Sequence, residues 1–149
     1  METVFYQGQV LWSQIDANQH LRHSAYADFG AQARLCMLEQ AGMTTQTLLQ
    51  LKIGPILFRE DLLYHREVRM DEHIRVTCEL LRSRPDGSRW TIRHGIYRSD
   101  DVKAATITAE GAWIDMQKRR ITALPEQLGR LFRQVPRAAD YTEDIPQDT

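Results

Sequence analysis

One long amphipathic helix followed by four long β-forming runs is the pattern that most restricts how this chain can fold. From Ala25 the apolar positions Tyr26, Phe29, Ala33, Cys36, Met37 and Ala41 recur at helical spacing. Gly42 follows, a residue free to take the left-handed conformation that ends a helix. After Pro55 the runs Ile56–Arg69, Ile74–Arg84, Ser88–Arg98 and Val102–Met116 are rich in β-branched and aromatic residues with period-two patches. The clearest alternation sets Trp90, Ile92, His94 and Ile96 on one face against Arg89, Thr91 and Arg93 on the other. About eight residues of strand span ~27 Å, the length of a helix of roughly 18 residues. Long antiparallel strands can therefore cover that helix from end to end.

The remaining elements are shorter. Val4–Trp12 alternates loosely and reads as a strand, and Ser13–His23 as a polar turn. Ser24 is placed to cap the long helix, and a second short helix is expected over Thr45–Leu51. Pro85-Asp86-Gly87-Ser88 is a strong hairpin turn, and Ser99-Asp100-Asp101 a weaker one. Leu124–Val135 reads as a terminal helix with Pro125 near its start. Beyond Pro136 the chain is acidic and poor in large apolar residues, so residues 1–136 are expected to form one domain and 137–149 a flexible tail. One helix cannot cover both faces of such a sheet, and a second copy is the simplest cover for the other. The expectation is an α+β domain in a homodimer or homotetramer.

A net charge of −1 gives no basic excess, which argues against general nucleic-acid binding. No apolar run is long enough to cross a bilayer and no charged-then-apolar leader is evident, so the expected setting is cytoplasmic, away from membranes. Cys36 and Cys78 lie far apart inside apolar patterns and read as buried, reduced thiols.

Chemistry concentrates in Asp16–Tyr26, D-A-N-Q-H-L-R-H-S-A-Y. This polar turn puts an acid and two histidines beside a helix N-terminus, whose free N–H groups favour developing negative charge. A carbonyl held between them could be attacked from one side and have its oxygen stabilised on the other, which suits acyl transfer. An aspartate that only satisfies turn N–H groups is the competing account of Asp16. Asp16, His20 and His23 supply too few ligands for a structural metal site, and Ser24 lacks a nucleophile-elbow motif. No metal or cofactor is expected.

The turn and the element order resemble the hotdog-fold thioesterase superfamily, specifically the 4-hydroxybenzoyl-CoA thioesterase-like acyl-CoA thioesterases. Asp16, His20, Leu21 and Tyr26 match a family turn of approximate form D-x-D-x-x-G-H-V-N-N-x-x-Y, and Ala33-Arg34 an alanine–arginine pair in the helix. Leu63–Val68 followed by Met70-Asp71-Glu72 looks like a second family block. Gln14, Gln19 and Arg22-His23 depart from the pattern, Gln19 at the turn glycine.

The resemblance implies a hotdog fold, a long antiparallel sheet wrapped around a central helix, and hydrolysis of an acyl-thioester to a carboxylic acid and free CoA. It implies Asp16 as base or nucleophile, His23 assisting, and an oxyanion site of backbone N–H groups around Ser24, Ala25 and Tyr26. His20 is read as holding the turn. Arg82, Arg84, Arg89 and Arg93 flank one hairpin and are candidates for CoA phosphates or simply a solvated face. The alternative is a hotdog module that binds acyl-thioesters or serves in assembly without hydrolysis.

Overall fold

A computed structural model describes residues 3–145. In chain order the elements are β1 (Val4–Gln9), α1 (Tyr26–Ala41), α2 (Thr45–Leu51), β2 (Ile53–Tyr64), β3 (His73–Thr77), β4 (Glu79–Ser83), β5 (Arg89–Arg98), β6 (Lys103–Asp115), β7 (Arg120–Ile121), α3 (Glu126–Phe132) and β8 (Arg137–Glu143). Two 3-10 turns, Trp12–Gln14 and His23–Ala25, bracket the polar turn.

The strands form one sheet that runs β2, β6, β5, then β3 with β4, then β1 with β8. The expected run Ile74–Arg84 is broken at Cys78 into β3, which pairs with β1, and β4, which pairs with β8. Both halves lie along β5. β2 pairs only with β6 among the described residues, so its outer edge is open. The β5 alternation holds: Trp90, Ile92, His94 and Ile96 are all buried on the helix side.

The helix α1 crosses that side of the sheet and buries Tyr26, Phe29, Ala33, Met37 and Leu38. Each large apolar side chain removed from water contributes about 1.5–3 kcal/mol. The contacts are specific: Phe29 packs on Tyr6 with ring centroids 5.7 Å apart, and Met37 Sδ lies 3.3 Å from Cys78 Sγ. A Cβ at Gly30 would come within 3.2 Å of Ile107 and 3.3 Å of His94, so the missing side chain brings the helix close to the sheet. Gly42 ends α1 at φ 96°. Gly111 faces Leu57 across β2 and β6, where a Cβ would collide with the Ile56 carbonyl and the Trp90 ring.

Three of the boundaries that differ from the sequence reading bear on how the ends of the chain pack. Ser24 does not cap α1; it sits inside the His23–Ala25 turn and its Oγ accepts a hydrogen bond from Arg22 Nε at 3.0 Å. The helix starts two residues later with no side-chain cap. The terminal helix is shorter than expected, Glu126–Phe132, with Phe132 edge-on to Trp113 at 5.6 Å.

The third difference is larger. Arg137–Glu143, expected as flexible tail, forms β8 parallel to β4, with Ala138 buried. Its acids meet the arginines of the neighbouring strands: Asp140 pairs with Arg93 at 2.8 Å and Asp144 with Arg82 at 3.6 Å and Arg84 at 3.5 Å. Residues 146–149 lie outside the described residues. No helix among the described residues is long and apolar enough to cross a membrane.

Candidate active site

The polar turn folds as a tight loop closed on itself and pinned from behind. Ile15 bridges Leu21, Asp16 N–H donates to the His20 carbonyl at 2.8 Å, and Gln19 N–H to the Asp16 carbonyl at 3.1 Å. Leu21 N–H donates to the Val68 carbonyl at 2.7 Å, and His20 bridges Arg69, so the segment after β2 fixes the loop from outside. Gln19 takes φ 68°, the left-handed region that favours glycine. A glutamine thus holds a glycine-favoured conformation at the position where the resemblance expects glycine. Gln14 likewise serves the backbone, its Oε1 accepting from Leu11 N–H at 2.8 Å.

Asp16 is half-buried. Its Oδ1 accepts the N–H groups of Asn18 at 2.9 Å and His20 at 3.1 Å. Its Oδ2 has no hydrogen-bond partner among the described residues. One carboxylate oxygen thus fixes the turn while the other stays available. The acid borders an open recess of about 350 Å³ with Trp12, Ile15 and Gln19. Trp12, which the sequence placed at the end of a strand, is 81% exposed beside it.

Ala25 and Tyr26 are buried under the loop, whereas His23 and Ser24 are exposed. Tyr26 meets Tyr64 edge-on at 5.1 Å, and Tyr64 Oη donates to the His23 carbonyl at 3.1 Å, tying the end of β2 to the start of α1. Burial pushes the Tyr26 pKa up to about 12, with Tyr64, Asp16 and Glu67 adding to it and the Val68 backbone opposing. Tyr26 therefore stays a neutral phenol within the electrostatic reach of Asp16. Ala25 N–H is used within the turn, donating to the Arg22 carbonyl at 3.0 Å. Helix α1 follows directly on this turn with no side-chain cap.

Asp16 and His23 do not touch within one chain among the described residues. The four arginines considered for phosphate are mostly engaged: Arg82 and Arg84 with Asp144, Arg93 with Glu79 and Asp140, and Arg89 over the Phe58 ring at 5.3 Å. Cys78 is buried, and its thiol pKa is raised by that burial, whereas Cys36 is only half-buried.

A second cavity, about 270 Å³, opens between the later part of α1 and the sheet, lined largely by apolar side chains with Arg34 among them. Arg34, half-buried, hydrogen-bonds the buried His94, a pair that the sequence reading did not single out beyond the Ala33-Arg34 match. The one signal for it was a histidine on the apolar face of β5.

The profile of the thioesterase-like superfamily matches residues 10–132. No curated protein matches the sequence. Among solved structures, the hypothetical protein TT1821 from Thermus thermophilus superposes with a TM-score of 0.81 at 20% identity, over 90% of this chain and 99% of that one. The hypothetical protein SAV2348 from Staphylococcus aureus, solved in complex with CoA, gives 0.82 at 18% identity over 89% and 84%. Slr0204, a 1,4-dihydroxy-2-naphthoyl-CoA thioesterase from Synechocystis, gives 0.78 at 12% identity over 89% and 97%. A sheet wrapped on a single long helix, a turn held by Asp16 and a profile match from residue 10 to residue 132 agree on one assignment: the chain belongs to the thioesterase-like superfamily and has the hotdog fold.

Proposed function

We propose that this protein is an acyl-CoA thioesterase in which Asp16 drives attack on the thioester carbonyl. The observation that carries this is the division of labour in its carboxylate, Oδ1 holding the turn and Oδ2 unpartnered at the start of an uncapped helix. Asp16 would add directly to the carbonyl carbon or take a proton from the attacking water. The carbonyl oxygen, gaining negative charge, would be met by free N–H groups of the first turn of α1 near Tyr26, each worth about 3 kcal/mol in comparable sites. The tetrahedral species then expels the thiolate of CoA, leaving the carboxylic acid where water attacked, or, where Asp16 attacked, a mixed anhydride that water hydrolyses to the acid and free Asp16. A thiolate departs without a strong general acid. The His23 side chain makes no hydrogen bond among the described residues and would assist only once substrate or a second subunit is in place.

A homodimer or larger assembly is part of this proposal. β2 presents an open edge with Leu57, Phe58, Leu63 and Tyr64 exposed along it. Antiparallel pairing of two such edges would bring the Pro55–Leu57 end of one copy toward Tyr64 and the turn of the other. The structural neighbour that holds CoA supports CoA as the carrier here.

A non-catalytic acyl-thioester-binding module is the second reading. It is favoured by the two N–H groups that already occupy Oδ1 and by the lack of Asp16–His23 contact in one chain. Thiol release over a panel of acyl-CoAs separates the two. Turnover that disappears in Asp16→Asn supports the enzyme, and binding without release supports the module.

A further inference from the structure

Charged residues interrupt the open edge of β2 near its centre: Arg59, Glu60 and Asp61 stand between the apolar pairs Leu57-Phe58 and Leu62-Leu63. Among the described residues this strand pairs only with β6. There Arg59, Asp61 and Leu63 lie opposite Glu110, Thr108 and Thr106, whereas Glu60 and Leu62 lie opposite Ala109 and Ile107. Ile107 borders Gly30 of α1, so Glu60 and Leu62 are on the helix side of the sheet and Arg59, Asp61 and Leu63 on the outer side. Within the chain Arg59 Nη2 lies 3.8 Å from Asp61 Oδ2, and both side chains remain exposed.

Charges on an edge strand usually keep other strands away. A guard of one sign does so in every register. Here the signs differ, and antiparallel pairing with a second copy about a twofold axis selects one register. Residues opposite each other in such a pair share a face, so the axis passes through a residue and not between two. With the axis at Glu60, Arg59 of each copy falls opposite Asp61 of the other on the outer face. The apolar pair Leu57-Phe58 then falls opposite Leu62-Leu63; Phe58 is the extra residue of a bulge, so these flanks match as groups. An axis at Arg59 or Asp61 sets like charges against each other, and one at Phe58 or Leu62 sets the acids against apolar or aromatic side chains. The axis at Glu60 also brings the two Glu60 together on the helix side, where Arg34 supplies counter-charge. Within one protomer Glu60 already acts to raise the Arg34 pKa against its burial.

We infer that two copies of this chain pair through β2 with the twofold axis at Glu60, held in register by reciprocal Arg59–Asp61 ion pairs. The inference rests on the assembly part of the function proposed above and names what the second copy adds to the site. Ile56 of the second copy falls opposite Tyr64, whose Oη holds the His23 carbonyl at 3.1 Å. The second copy therefore closes one side of the start of α1 with its Pro55 and Ile56.

Sedimentation of the full-length protein over a concentration series reads the register without reference to turnover. Arg59→Asp and Asp61→Arg each set like charges opposite one another twice per dimer. Each alone is expected to raise the dimer dissociation constant by on the order of 10–100-fold. Mixed in equal amounts, the two variants should re-form a dimer within about tenfold of wild-type affinity, because every like-charge contact becomes an opposite-charge one in the mixed pair. The contact within one chain cannot produce that recovery. A second measure does not depend on charge: under oxidation Arg59→Cys and Asp61→Cys should cross-link to each other and not to themselves, since directly opposed residues meet disulfide geometry. Single variants that dimerise like the wild type, a mixture no tighter than its components, or cross-links as efficient within one cysteine variant as in the mixture overturn the register while leaving assembly intact. A wild type that stays monomeric at every concentration overturns the register and the assembly proposal together.

Discussion

Arg34 on α1 donates to His94 on β5 at 2.9 Å, joining the central helix to the centre of the sheet through a half-buried guanidinium and a fully buried imidazole. Burial, then the Arg34 charge, drive the His94 pKa from 6.5 down to about 3, with the Thr77 carbonyl opposing. The folded chain thus keeps the ring neutral where the unfolded chain would bind a proton. Stability from the neutral ring is complete above pH 6.5 and is lost as pH falls from 6.5 toward about 3. His94→Gln removes this titration. Thermal melts across that window should show the wild type losing more stability than the variant, and parallel curves would remove His94 as the cause.

Gln19 at φ 68° carries a side chain where the turn calls for none. A left-handed residue with a Cβ costs about 1–2 kcal/mol, against which glycine gives up about 0.5–1 kcal/mol of chain entropy. Gln19→Gly should therefore stabilise the fold by roughly 0.5–1 kcal/mol, a rise of ~2–4 °C in Tm per kcal/mol for a chain of this size. Turnover should be retained, because Gln19 only shapes the loop. A variant that melts lower would mean the glutamine side chain contributes a contact that outweighs its backbone strain.

The elements read correctly from sequence are those where burial on one side imposes a period. The β5 alternation and the Thr45–Leu51 helix emerge as expected, and Gly42 ends α1 where its backbone freedom allows. β8 was missed because an edge strand needs few apolar residues: Ala138 is buried and Tyr141 packs against the core, while Arg137, Asp140, Thr142 and Glu143 make the rest mostly polar. Its sequence signal was charge complementarity, acids after Pro136 matching Arg82, Arg84 and Arg93, which also explains why those arginines are not a free phosphate site. Ser24 met the composition rule for a cap, yet the preceding 3-10 turn displaced the helix start beyond it. In the turn, Asp16 was legible from its neighbours. The Arg34–His94 pair depends on a contact between distant segments that no local pattern encodes.

The open edge of β2 makes assembly testable without knowing the substrate. Leu57 and Leu63 are 43% and 55% exposed on that strand. On a monomer, lysine at either place would sit in water at little cost, within about 0.5 kcal/mol. In an assembly paired along β2, the same lysines would face an apolar partner surface. Wild-type protein is expected to sediment as a dimer or larger species, and Leu57→Lys with Leu63→Lys as a monomer with unchanged far-ultraviolet dichroism. If the site is shared between subunits, thiol release should fall in the same preparation. A wild type that sediments as a monomer at every concentration ends the shared-site proposal.

Asp16 can be tested so that structural and chemical roles give opposite results. Asparagine keeps an oxygen for the N–H groups of Asn18 and His20, so Asp16→Asn should melt close to the wild type. Alanine removes the one oxygen that accepts both, and at roughly 1 kcal/mol for each lost hydrogen bond Asp16→Ala should be less stable by about 1–2 kcal/mol. An aspartate that merely holds the turn predicts activity that follows stability, with the asparagine variant near wild type. An aspartate that attacks or deprotonates water predicts that both variants lose on the order of 10²–10⁴ in kcat, asparagine included, because neither side chain carries the charge. The decisive measurement is kcat for thiol release by the asparagine variant at saturating acyl-CoA, with Kd measured separately. Retained binding with lost turnover assigns the chemistry to the free carboxylate oxygen, and wild-type turnover assigns Asp16 to the turn alone.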